Sequence, residues 1–412
     1  MAPSTLSCKE CGQAYPLEAH FVCERCFGPL EVRYDHSDLD PASAKRKIQA
    51  GPADIWRYAD FLPLSERPRD PVQPGLTPLV RADRLAERLG LGEVWIKNDA
   101  ANPTHSFKDR VVAVALAKAR ELGFETVACA STGNLANAVA AHAAAAGLES
   151  YVFVPSNLEE QKLLATGVYG TNLVGVRGSY DDVNRLCTQL AAERPWAFVN
   201  VNLRPYYAEG SKTIAFELVE QLGWELPDRV VCPIASGSLF TKIARGFEEW
   251  LELGLVEGEL PAFNGAQADG CDPVAEAFSD GAEVCRPQRP ETIAKSLAIG
   301  DPADGPYALE LARRTGGAVD SVSDDEIRAG IRLLAETTGI FTETAGGVTA
   351  AVLAKLAESG AISDSERVVA IITGEGLKTL DAVREGFQIA EIDPSIESFE
   401  KTTGAGAVRT TA

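Results

Sequence analysis

From about Leu76 onward, short apolar runs rich in β-branched residues alternate with longer stretches whose apolar positions recur at helical spacing. VWIK (94–97) precedes a helix expected from about Phe107 to Leu122. TVACA (126–130) leads to a helix through NAVAAHAAAAG (137–147), and SYVFVP (150–155) to EEQKLLATG (159–167). The alternation continues through NLVGV (172–176), SYDDVNRLCTQLAAE (179–193), WAFVNV (196–201) and TIAFELVEQLG (213–223). RVVCPIA (229–235) then runs into a helix at LFTKIARGFEEWLELG (239–254). Strands that are each followed by a helix predict βαβ units around parallel sheets, an α/β class. Farther on, SDDEIRAGIRLLAETTG opens with Ser323 three residues before Glu326, a capping box, and RVVAIITGEG (367–376) reads as a last core strand. The segment 281–322 is richer in Pro and Gly and yields no clear element. Residues 391–412, ending in KTTGAGAVRTTA, read as a disordered tail.

A chain of 412 residues exceeds one compact core, so two main domains with any small appendage are expected. No apolar run approaches the length of a membrane span, and MAPSTLSC is no signal peptide, which predicts a soluble, cytoplasmic protein without a membrane partner. The formal charge of −20 repels nucleic-acid phosphates, so a nucleic-acid partner is not expected and any bound anion must be held by a local cluster of donors.

Of the nine cysteines, Cys129, Cys187, Cys232, Cys271 and Cys285 stand singly and read as small buried hydrophobes. The other four form two C-x2-C knuckles, CKEC (Cys8, Cys11) and CERC (Cys23, Cys26), eleven residues apart. Such knuckles bring four thiolates into one tetrahedron, which suits Zn2+, and four thiolates leave no open position, so the metal is structural. Two disulfides are the competing reading, disfavoured by a cytosolic setting.

Three loops share one design, in which an apolar strand ends, small polar residues follow and a helix begins. They are Ala130-Ser131-Thr132-Gly133-Asn134, Ala235-Ser236-Gly237-Ser238 and Ile372-Thr373-Gly374-Glu375-Gly376. Ligands of parallel α/β sheets bind at the carboxyl ends of strands, where helix N-termini offer free amides to anions. Lys108 stands at a fourth helix start. The positive pole of the helix dipole disfavours a charged amine there, and a neutral amine is a nucleophile able to form a Schiff base. A solvated lysine paired with Asp109 is the plain alternative.

Asn-Pro-Thr-His-Ser-Phe-Lys-Asp-Arg (102–110) resembles the NPTxSFKDR signature of fold-type II pyridoxal-phosphate enzymes, and especially that of the threonine synthases. The likeness extends through IWRY (55–58), PGLTPLVRADRLAERLG (74–90), ASTGNLANAVAAHAA (130–144), VNLRPYYAEGSKTIAFE (201–217), RPETIAKSLAIGDPADGPYAL (289–309) and ITGEGLKTLDAV (372–383). The four-cysteine ribbon is similar to one found on some prokaryotic members. The resemblance implies a tryptophan synthase β-like fold with two parallel-sheet α/β domains behind a zinc ribbon at 1–35. The catalytic region would span 36–390, with a smaller subdomain at about 100–205, and the chain would form a homodimer.

It further implies that pyridoxal 5'-phosphate is carried by Lys108, which also shuttles protons. Phe107 would lie beside the cofactor, Asn134 would bond its 3′-oxygen and Thr373 would face its pyridine nitrogen. Ser236, Gly237, Ser238 and Leu239 would cradle its phosphate, although the family's loop carries several glycines or asparagines where this one has Gly237 alone. His105 likewise stands where glycine is commoner. The implied substrate, O-phosphohomoserine, brings a second phosphate. Arg204 offers it a planar fork of donors, with Ser131, Thr132, Asn202 and Lys212 in support. The implied reaction is elimination of that phosphate followed by addition of water to give threonine. The alternatives are a sister enzyme such as a cysteate synthase or a serine/threonine dehydratase, or, from another class, a non-catalytic zinc-ribbon binding protein.

Overall fold

The computed structural model describes residues 3–68, 70–178, 180–386 and 389–403. Among them are three sheets. The largest has the spatial order Val319–Val322, Ala262–Ala268, Arg229–Pro233, Arg367–Ile372, Glu93–Asn98 and Leu79–Arg81. All neighbours in it are parallel except the last strand, which runs antiparallel to Glu93–Asn98. A second, wholly parallel sheet orders Asn172–Val176, Glu149–Pro155, Thr126–Ala130 and Ala197–Phe198. Its strands all fall between two sequence-adjacent strands of the large sheet, so the chain leaves the large sheet after Asn98 and returns at Arg229.

The continuous apolar run of Arg367–Ile372 follows from burial on both faces. Val369 and Ile371 join one core cluster, while Val368, Ala370 and Ile372 join the cluster on the other side. The expected helix from Phe107 to Leu122 runs Lys108–Glu121 with those two residues as its caps. The capping box at Ser323 is present, with the Ser323 side chain accepting from Glu326 N and the Glu326 carboxylate accepting from Ser323 N.

Three elements differ from expectation. WAFVNV is strand only at Ala197–Phe198, because Asn202 folds back and ends it: its Oδ1 accepts from Phe198 N and its Nδ2 donates to Trp196 O. The segment 281–322 contains the helix Gly305–Arg314 and the strand Val319–Val322 that closes one edge of the large sheet. Part of the tail expected to be disordered forms a short helix, Ile396–Thr403, with no buried residue, and 404–412 lie outside the described residues.

The amino-terminal sheet, with Pro3–Cys8 between Ala14–Tyr15 and Leu30–Tyr34, has little core of its own. Leu6, Leu30 and Val32 share one cluster with Val111, Val112, Ala115 and Leu116 of the Lys108 helix. The ribbon therefore docks on its own chain, against the helix that carries Lys108.

Candidate active site

The segment that precedes Lys108 is held by the loop after the last core strand. Phe107 N donates to Thr373 O at 2.9 Å, Ser106 bridges Gly374, and Glu375 N donates to His105 O. His105 has φ 62°, the left-handed region that costs most side chains strain, which explains why glycine is at ease there. Lys108 Nζ lies 4.4 Å from the Phe107 ring centroid and donates to the Tyr207 hydroxyl at 2.9 Å. Asp109 is not its partner. The Asp109 carboxylate accepts from Thr104 N and Oγ1 and meets His142 Nε2 at 2.9 Å.

Behind Lys108 lies a fully buried ionic cluster. Arg110 donates to Asp99, Glu217, Thr77 and Thr213, and Lys97 donates to Glu217, Gln221 and Thr77 O. Burial alone would raise the Glu217 carboxyl, but Arg110 and Lys97 outweigh it and hold it down to about 2. Such charges are tolerated in the interior only when fully paired, so the cluster fixes the first turn of the Lys108 helix to the large sheet.

Asn134 and Thr373 converge on Glu343, a buried carboxyl that the sequence reading did not single out. Asn134 Nδ2 donates to its Oε2 at 2.9 Å and Thr373 Oγ1 lies 3.2 Å from its Oε1. Burial pushes this carboxyl above its ordinary range. Lys378, from the GLK sequence, donates to Asn134 Oδ1 at 2.8 Å and to Thr104 O at 2.6 Å, and burial lowers its ammonium. Gly374 makes room for this arrangement, since a Cβ there would come within 2.5 Å of the Glu343 carboxyl.

Arg204 and Ser238 share one cavity, also lined by Lys9, Thr241, Lys242 and Asp304. Gly237, at φ 95°, is the one position in this loop where glycine is required, and a Cβ on it would meet Asp304 O at 2.8 Å. Ser236 O accepts from Asp304 N, while Arg204 donates to Asp304 Oδ2 at 2.9 Å. Gly237 caps the helix Ser238–Glu252 without a side-chain hydrogen bond; Ser238 N makes a long 3.5 Å contact with Ser236 Oγ, and the amides that follow it in the first turn can meet an anion. The Leu239 side chain packs on the core.

Two expected substrate donors are engaged elsewhere. Lys212 is 1% exposed and locked to Glu209 at 2.7 Å and Glu249 at 2.6 Å, which leaves it no free face for a phosphate. Both ends of the Asn202 amide are spent on the backbone of 196–198. Ser131 and Thr132 lie in the turn before Asn134, where Ser131 Oγ accepts from Gly133 N. Tyr207 and Asp304 were also missed: the second tyrosine of RPYY and an aspartate in a Pro/Gly-rich stretch carry no motif of their own.

The sulfur atoms of Cys8, Cys11, Cys23 and Cys26 all lie within 4.8 Å of one another, with Cys8–Cys26 at 3.5 Å and Cys11–Cys23 at 3.6 Å, and none is in a disulfide. A tetrahedral zinc with bonds of about 2.3 Å sets its sulfurs about 3.8 Å apart, so the set fits that ion. The five single cysteines are free and buried, as expected.

The residues also suit pyridoxal phosphate. Lys108 follows the Phe107 whose amide is bonded to Thr373, Thr373 and Asn134 share Glu343, the helix Ser238–Glu252 offers amides at its start, and the buried Ser106 hydroxyl lacks a partner. A family profile described as pyridoxal-phosphate dependent enzyme matches residues 72–374, and the chain belongs to that family. Within it the chain falls among the threonine synthases. It is 40% identical to the threonine synthase of Methanocaldococcus jannaschii over 379 residues, covering 91% of this chain and 93% of the relative. It is 39% identical to that of Methanosarcina acetivorans over 376 residues, covering 90% and 92%. Solved structures share the fold. Maize serine racemase matches with a TM-score of 0.63 at 20% identity, covering 75% of this chain and 91% of that one. The processed threonine deaminase isoform 2 of Solanum lycopersicum matches with a TM-score of 0.63 at 20% identity, covering 91% and 95%.

Proposed function

We propose that this chain converts O-phosphohomoserine and water to threonine and phosphate, with Lys108 as the amine that holds pyridoxal phosphate. The observation that carries the reading is the convergence of Lys108, Thr373 and Asn134: the backbone of Phe107 is bonded to Thr373, and Thr373 and Asn134 share Glu343. When bound, the cofactor stores the electron pair released as protons leave the substrate carbons. Lys108, freed by the substrate amine, takes and returns those protons, and the Tyr207 hydroxyl at 2.9 Å keeps its amine aimed. The amides at the start of the Ser238 helix, with the Ser236 and Ser238 hydroxyls, hold the cofactor phosphate. Arg204 is the donor for the substrate phosphate. It lines the same cavity as Ser238, and among the described residues its guanidinium has only Asp304 to leave.

In the ribbon, Cys8, Cys11, Cys23 and Cys26 hold a structural zinc. The reading takes the protein as a cytoplasmic homodimer that binds a small-molecule substrate and no nucleic acid. The net charge of −20 supports the last point, and exposed Leu377 and Leu380 offer apolar surface to a second copy. Among the described residues no helix is long and apolar enough to cross a membrane.

The test is incubation of the cofactor-loaded protein with O-phosphohomoserine while phosphate and threonine are both followed. Equal release of the two is expected. A loaded protein that releases neither would move the substrate assignment to another leaving group.

A further inference from the structure

The mechanism above gives Glu343 no task, yet it is a carboxyl 3% exposed at the centre of the site. Its hydrogen-bond directions are determined by its neighbours. Lys378 has only protons to offer, so the Asn134 oxygen faces Lys378 and the Asn134 NH2 faces Glu343. Oε2 of Glu343 must therefore accept, and a proton on this carboxyl belongs on Oε1, the atom that meets Thr373 Oγ1.

Resting on the reading that Thr373 faces the cofactor's ring nitrogen, we propose that Glu343 is the proton store for that nitrogen, acting through the Thr373 hydroxyl as a positioning residue. Two arrangements hold the same protons. In one, Glu343 donates to Thr373 and Thr373 donates to a bare nitrogen. In the other, ionised Glu343 accepts from Thr373 and Thr373 accepts from a protonated nitrogen. Passage from the first to the second breaks the O–H bonds at Glu343 Oε1 and at Thr373, re-forms one at Thr373 and forms one N–H bond. No oxidant or co-reactant is needed.

The site is built to keep both arrangements within reach. Burial favours the neutral carboxyl, while the charges that bear on it, Lys378 beyond Asn134 and Lys108 beyond Phe107, favour the ionised one. The protein can thus supply the ring with a proton when negative charge develops there and withdraw it afterwards, although the side chain facing the nitrogen is only a hydroxyl.

The experiment uses full-length protein loaded with cofactor 15N-labelled at the ring nitrogen and carrying 13C-labelled glutamate. Both resonances are followed by NMR over the pH range in which the protein stays folded. In the wild type the ring nitrogen and the Glu343 carboxyl should move in one shared step. In Glu343→Gln the nitrogen should lose its pH response and stay at its unprotonated position. Thr373→Val, which removes the relay but keeps the shape, should abolish the nitrogen's response while Glu343 still titrates. Separate titrations in the wild type, or a Glu343→Gln nitrogen profile that superimposes on the wild type, overturn the proposal. The wild-type measurement decides even if a variant takes up no cofactor. A wild-type protein with no visible cofactor band refutes the underlying reading instead, so the two failures are distinct.

Discussion

Lys108 Nζ and the Tyr207 hydroxyl meet at 2.9 Å, while Asp109, the neighbour in sequence, turns away to Thr104 and His142. The amine is thus tied to a neutral hydroxyl on the short helix Arg204–Glu209 and not to a carboxylate. Tyr207→Phe removes only that oxygen. It should leave cofactor uptake intact and lower kcat on the order of 10²-fold through misorientation of the amine. Single-turnover kinetics check this, and an unchanged kcat would show that Tyr207 merely packs.

Arg204 and Lys212 are separated by one helical stretch and by opposite tasks. Arg204→Gln should raise KM for O-phosphohomoserine at least about tenfold with little change in melting temperature, as expected when a charge-assisted contact to substrate is lost. Lys212→Met should do the reverse. It strands Glu249 in the interior, while Lys242 still pairs with Glu209 at 2.9 Å, at a cost of about 3–5 kcal/mol, and KM of the folded fraction holds. Steady-state kinetics set beside urea denaturation separates the two.

Acid should weaken the fold in a definite window. Burial opposes ionisation of Glu217 and Glu209, but Arg110 with Lys97, and Lys212 with Lys242, hold these carboxyls down to about 2 from an ordinary 4.5. A lowered folded-state value means that stability is fully present above 4.5 and is lost as pH falls toward 2. The urea midpoint should fall through that interval, and Glu217→Gln should flatten part of the fall. A midpoint independent of pH there would contradict the pairing.

Zinc removal should reach the catalytic region. Leu6, Leu30 and Val32 of the ribbon pack with Val111 and Val112 of the Lys108 helix, and the Tyr206 hydroxyl donates to Glu18 O. Chelation, or Cys8→Ser, should abolish a stoichiometry of one zinc per chain and lower the melting temperature. It should also increase amide exchange at 108–116 as well as in the ribbon. Exchange confined to the ribbon would show that it is only an appendage.

The sequence made the α/β class legible because strands buried on both faces leave unbroken apolar runs, as in RVVAII, and because caps such as Ser323 mark helix starts. It hid the helix Thr344–Glu358, eleven of whose fifteen residues are buried, since a helix enclosed all round has no polar face to reveal its period. In the candidate site, Lys108, Asn134 and Thr373 stand in local motifs that draw attention to them. Glu343, Lys378, Tyr207 and Asp304 draw none, because each acquires its role from a partner 30 to 244 residues away. The ion pairs of Lys212 were hidden for the same reason: its two carboxylate partners are placed by tertiary packing and not by spacing alone.

Lys108 follows the Phe107 that is bonded to Thr373, and Lys378 is bonded to Asn134, so either amine is a candidate to hold the cofactor. Borohydride reduction of the loaded protein, followed by peptide mass mapping, fixes the cofactor to whichever amine bears it. The added mass is expected on Lys108, with none on Lys378. Label on Lys378, or a loaded protein that yields no labelled lysine, would contradict that assignment.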